Sequence, residues 1–108
     1  MTKPSLQSLL DLDRVVHEPA RLAILTILSG ADEVEFKFLE TATGLTKGNI
    51  SSHSTKLEEA GYIAVKKAFR GKIPVTSFRL TDVGRTALQR YWERLRAALP
   101  QAPKGKHS

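Results

Sequence analysis

Lys47, Asn49, Ser51, Ser52, Thr55 and Lys56 bring hydroxyl, amide and ammonium groups together in one short stretch that contains no carboxylate. Such groups donate and accept hydrogen bonds toward a polar or anionic surface. The arrangements that would make or break covalent bonds are missing. Ser52 and His53 are neighbours in sequence, whereas a nucleophile and its base must converge in space, and no oxyanion-type glycine motif accompanies them. Asp11, Asp13 and His17 could in principle supply oxygen and nitrogen metal ligands, but His17, preceding Glu18-Pro19, could equally bond a carboxylate or water, and no metal site is expected. No phosphate loop or dinucleotide fingerprint occurs. The residues therefore suggest a binding protein, with neither an enzyme's machinery nor a cofactor implied.

The chain has 108 residues and no cysteine, which excludes disulfides, thiolate nucleophiles and cysteine-rich metal sites. That length supports one core. No apolar run approaches the roughly 18 residues of a membrane span, and the opening MTKPSLQSLLDLDR carries acids where a signal peptide is apolar. A soluble cytoplasmic protein is expected. The net charge is +6, and it is unevenly spread. Residues 1–46 carry net −3 and residues 47–108 net +9, with five bases and no acid between Tyr62 and Thr81. A surplus of this kind favours an anionic partner.

The elements that must position these groups follow from periodicity. Leu6, Leu9 and Leu10 behind Ser5 predict a short helix to about Leu12 or beyond. Glu18-Pro19 opens a second helix, whose Leu22, Ile24, Leu25, Ile27 and Leu28 make a broad apolar face before Ser29-Gly30. Residues 31–35 read as loop or a very short strand, and residues 36–42 as a helix turning Phe36, Leu39 and Phe38 inward. Thr46 is placed to cap a further helix over residues 47–60, which Gly61 stops. Residues 62–67 and 75–80 read as strands flanking a basic turn, Arg70-Gly71-Lys72-Ile73-Pro74. Thr81-Asp82 begins the last helix, with Val83, Ala87, Leu88, Tyr91, Leu95 and Leu99 in one stripe and Trp92 at its border. Residues 1–99 read as one domain and residues 100–108 as a disordered tail.

This order is mainly α with a small β-hairpin (α+β), the order of a winged helix-turn-helix, in which the helix after the turn enters the DNA major groove. A helical wheel at 100° per residue turns Ile50, Ser54 and Leu57 inward and Gly48, Asn49, Ser51, Ser52, Thr55 and Lys56 outward, while Lys47 and Lys56 suit phosphates. Small polar side chains let a helix approach base edges, where asparagine can bond adenine bidentately. His53 falls at the border and suits packing. In the wing 66–76, Lys66, Lys67, Arg70 and Lys72 suit phosphates, and Arg70 at the tip could enter a minor groove. Most of the seven aromatics sit at core-facing positions, leaving Phe69 beside the wing as the one stacking platform for RNA.

Three stretches, HEPARLAILTIL, FLETATGLTKGNISSHSTKLEEAGYI and FRLTDVGRTALQRYWERL, together resemble the single-domain winged-helix transcriptional regulators of the MarR and ArsR types. The resemblance covers most of residues 15–96. It implies double-stranded DNA binding as a homodimer, with the first and last helices in the dimer contact. Leu6, Leu9, Leu10, Leu88, Tyr91, Trp92, Leu95 and Leu99 are the residues placed there, since they make more apolar surface than one small core needs. Packing of both faces within one monomer is the competing reading. Ser54 departs from the family, which is apolar at that position, and the absence of cysteine and of a His/Asp cluster argues against an ArsR-like metal sensor. A repressor is expected; a winged-helix adaptor that binds protein in place of DNA is the alternative. Nothing in the sequence marks a small-molecule effector site, although such regulators can carry one.

Overall fold

The structure is a computed structural model that describes residues 6–100. The expected Ser5 cap, and the tail beyond Pro100, lie outside the described residues. Five helices surround one edge of a three-stranded antiparallel sheet: α1 (Leu6–Leu10), α2 (Pro19–Ser29), β1 (Val34–Glu35), α3 (Phe36–Thr43), α4 (Lys47–Glu59), β2 (Ile63–Arg70), β3 (Ile73–Leu80) and α5 (Asp82–Ala98). The sheet runs β1-β3-β2, so the hairpin β2-β3 is anchored to the body by the two-residue strand β1.

Local chemistry accounts for the boundaries. The Glu18 carboxylate accepts from the Arg21 amide at 2.8 Å, capping α2, and Pro19 occupies the first turn, where its missing N–H costs nothing. The α1 helix stops at Leu10, short of the expected Leu12. The cause is Asp13, whose Oδ1 accepts from the amides of Val15 at 2.8 Å and Val16 at 3.2 Å and so starts a separate turn. Leu12 and Val16 on that connection are buried, and they close the core made by Ile24, Leu25 and Leu28 of α2, Leu39 of α3, Ile50 and Leu57 of α4, and Phe78 of β3.

Two apolar residues lie outside the core expected for them. Phe38 is 55% exposed. One helical step separates it from the buried Leu39, which is enough to turn it off the face that Leu39 and Phe36 share. Val83 is 60% exposed because α5 presents Gly84, Leu88 and Tyr91 to the core instead. The hairpin is also longer than expected, with a two-residue turn, Gly71-Lys72, and Arg70 paired directly with Ile73. Pro74 belongs to β3, opposite Phe69, rather than to the turn. A non-hydrogen-bonded pair position and the lack of a third strand on that side let proline sit there without losing a ladder bond. Gly71 takes φ +65 at the first turn position, a conformation open to glycine and typical of a tight two-residue hairpin.

Candidate nucleic-acid interface

Thr46 sets the start of α4: its hydroxyl accepts from the Asn49 amide at 3.1 Å, while Gly44, at φ +73, turns the chain out of α3. The far end is closed by the amide of Gly61 on the Glu58 carbonyl and that of Tyr62 on the Leu57 carbonyl, both at 2.9 Å, with Gly61 left-handed at φ +80. This paired closure sends the chain directly into β2. Held at both ends, α4 buries Ile50, Ser54 and Leu57. The Ser54 hydroxyl donates to the Ile50 carbonyl at 2.7 Å, so a buried polar residue is satisfied by its own helix.

Lys47, Asn49, Ser51, Ser52, Thr55 and Lys56 are all exposed on the opposite side of α4. Lys47 is partly committed, its ammonium lying 2.9 Å from Glu40 on α3. His53 turns back toward α2, its Nδ1 3.3 Å from Arg21 Nη1 and 3.8 Å from Glu18 Oε1, which is a packing position.

The wing divides its bases between two faces. Directly opposed residues on neighbouring strands share a face, so Val65, Lys67 and Phe69 lie with Phe78, Thr76 and Pro74, while Lys66 and Arg70 lie with Ser77 and Ile73. Lys67 and Thr76 line a groove with Ser51 and Thr55, which puts the first set on the side of α4. Lys66 and Arg70, both selected from sequence, occupy the other side. There Lys66 lies 3.8 Å from Glu33 and Arg70 Nη2 lies 2.5 Å from Glu35 Oε2, and the Arg70 hydrogen bond holds the Glu35 carboxyl below its ordinary range. Arg70 at the tip is therefore drawn back along the sheet rather than projecting forward. Charge alone groups Lys67 with the other wing bases; the two-residue period of a strand is what separates it from Lys66 and Arg70 and puts it on the α4 side. Lys72 sits in the turn itself, exposed and without an ion pair among the described residues.

At the other end, α1 packs on α5, tied by Arg94 Nη1 donating to the Asp11 carbonyl at 3.0 Å. Leu6, Leu10 and Leu99 are 71%, 80% and 52% exposed, Leu9 is also exposed, and Trp92 and Leu95 are half-buried. Leu88 and Tyr91 correct the sequence expectation of a dimer contact: both are buried in this chain's own core, and the Tyr91 hydroxyl bonds His17 Nδ1 at 2.8 Å. They offer a partner chain almost no surface.

Asp13 and His17 are likewise occupied by structure. Asp13 Oδ2 accepts from the Tyr62 hydroxyl, and among the described residues no cluster of three His, Cys, Asp or Glu could hold a metal. Burial first, then the Asp13 hydrogen bond and charge, push the Tyr62 phenol from 10.0 up to about 12. The fold favours the neutral phenol, so the stability it contributes is complete below pH 10 and is lost as pH rises through about 12. A phenolate absorbance titration should show a step near 12 that vanishes in Tyr62→Phe and moves down in Asp13→Asn. A wild-type Tyr62 step near 10 in the folded protein would contradict this bond.

A helix-turn-helix with an exposed polar second helix, followed by a basic hairpin on the same side, is the architecture of a winged helix. The chain belongs to the winged helix DNA-binding domain family, whose model matches residues 20–99. It is 34% identical over 79 residues to an uncharacterized protein of Methanocaldococcus jannaschii, covering 72% of this chain and 85% of that one. Among solved structures it is similar to a transcriptional regulator homologue from Pyrococcus horikoshii, with a TM-score of 0.79 and 26% identity, covering 85% of this chain and 93% of that one. A MarR-family transcriptional regulator from Silicibacter pomeroyi shares the fold at a TM-score of 0.61 and 21% identity, covering 78% and 56%. No helix among the described residues is long and apolar enough to cross a membrane.

Proposed function

We propose that this protein is a homodimeric, sequence-specific regulator of transcription, a cytoplasmic repressor that reads the major groove with α4 and holds the flanking backbone with its wing. The observation that carries this reading is the exposed polar face of α4 over residues 47–56, which carries no acid and lies beside the basic hairpin, with Glu58 the one carboxylate in the groove between them. Asn49, Ser51, Ser52 and Thr55 are short enough to reach base edges, and Lys47 and Lys56 flank them as phosphate contacts. Lys67 and Lys72 extend that charge along the wing; Lys66 and Arg70 join it only on releasing Glu33 and Glu35. Likeness to the Pyrococcus horikoshii transcriptional regulator homologue supports the same reading.

Leu6, Leu9, Leu10, Trp92, Leu95 and Leu99 form the surface proposed for the dimer, with a second copy of this chain as its occupant. A twofold dimer places two α4 helices on half-sites about 34–36 Å apart, so duplexes enriched by the protein from a randomised pool should contain an inverted repeat at that spacing. Enriched sequences lacking a dyad would oppose the dimer. Leu10→Glu, at an exposed position that leaves the core intact, should weaken self-association by about 2 kcal/mol or more. Sedimentation velocity would show the shift to monomer; an unchanged profile would remove α1 from the interface.

A further inference from the structure

Phe69 is 74% exposed at the far end of β2, and its cross-strand partner Pro74 is exposed too. Nothing in the fold requires an aromatic ring there, since the core ends at Val65 and Phe78, four residues nearer the body on the same face. At strand rise the ring stands ~13 Å beyond that level. The pairing register puts it on the face of Lys67 and Thr76, toward the surface assigned above to DNA, while Phe69 also borders the groove of Glu35, Lys66 and Arg70 on the other side of the sheet. Arg70, the tip residue whose charge best suits a narrow groove, is held on the opposite face by Glu35. Five bases and no acid lie between Tyr62 and Thr81, so the segment carrying this apolar tip is attracted to a polyanion.

We propose that Phe69, backed by Pro74, is an apolar wedge that enters the minor groove beside the α4 contact and partly unstacks one base step. The proposal rests on the DNA-reading assignment of α4 and deepens it. A ring inserted in this way bends the duplex and gains most at a flexible pyrimidine–purine step, so it selects sequence at a position where no side chain bonds a base edge.

The test uses the full chain and duplexes enriched from a randomised pool, labelled at both ends for energy transfer. Wild-type protein should bend the enriched duplex by ~20–90°, and the enriched set should carry a pyrimidine–purine step outside the half-site. Phe69→Ser, which touches no core residue, should keep its melting temperature and half-site preference, lose the bend and the step preference, and bind roughly tenfold more weakly. Phe69→Leu should restore the bend and Arg70→Ala should leave it intact. An enriched duplex that stays straight with the wild type, or bends equally with Phe69→Ser, overturns the wedge while leaving the α4 reading standing. A pool that yields no enriched sequence overturns both.

Discussion

Gly84→Ala should leave this chain largely unfolded at temperatures where the wild type is native. A Cβ at that position would lie 2.8 Å from the Tyr62 carbonyl carbon and 2.9 Å from its Cα, and closer still to its oxygen. All three are backbone atoms, so no side chain can swing aside to make room. The junction is fixed from several directions: the Thr81 amide donates to the Tyr62 carbonyl at 3.0 Å, and the Thr81 hydroxyl donates to the Gly61 carbonyl at 2.6 Å while accepting from the Gly84 amide at 3.0 Å. The Tyr62 ring is held by Asp13. Relief therefore requires α5 to withdraw from the sheet, taking Leu88 and Tyr91 out of the core. The expected cost is about 4 kcal/mol or more, against a total stability of about 5–15 kcal/mol for such a domain. At about 4–8 °C per kcal/mol, a thermal melt would show a very large fall. Gly48→Ala, with nothing within 4 Å of the added carbon, is the control. A Gly84→Ala melt within a few degrees of wild type would mean that the α5 junction is far softer than its bonding indicates.

The second large effect is on binding. Lys56, Lys67 and Lys72 face outward on α4 and the wing without an ion pair among the described residues, three on each chain and six in a dimer. Lys47, Lys66 and Arg70 would have to give up Glu40, Glu33 and Glu35 to reach phosphate, so they release fewer counterions. Six phosphate contacts predict a fall in affinity of about a thousandfold between about 50 and 200 mM salt. A salt titration that is nearly flat would show that these lysines do not meet phosphate.

Much of this was legible in the sequence, for reasons that differ from element to element. The inward turn of Ile50, Ser54 and Leu57 follows from helical periodicity alone, and Thr46 and Gly61 mark the ends of α4 by their own local chemistry. Periodicity read loosely fails for Phe38 and Val83, which lie one step off a buried line. In the wing, charge located the bases but strand parity separates them, and the acids that restrain Arg70 and Lys66 lie 33 to 35 residues away in sequence. Long-range partners of that kind leave no local pattern. Gly84 is legible as part of the LTDVGR run, but the reason only glycine serves there is the Tyr62 backbone, brought up by the hairpin. Leu88 and Tyr91 show the same limit: an apolar stripe on α5 does not say which of its residues the chain's own core will cover.

The central claim is that the outward face of α4 reads DNA sequence, and the most direct measurement is fluorescence anisotropy of the full chain. One labelled duplex should come from upstream of its own gene and the other should be a shuffled duplex of equal composition, each compared with Asn49→Ala across the salt series. The account predicts preference for the native fragment, a steep salt dependence, and a loss of ~1–3 kcal/mol of that preference in the variant with the salt slope kept. Absence of binding to either duplex at low salt would contradict it.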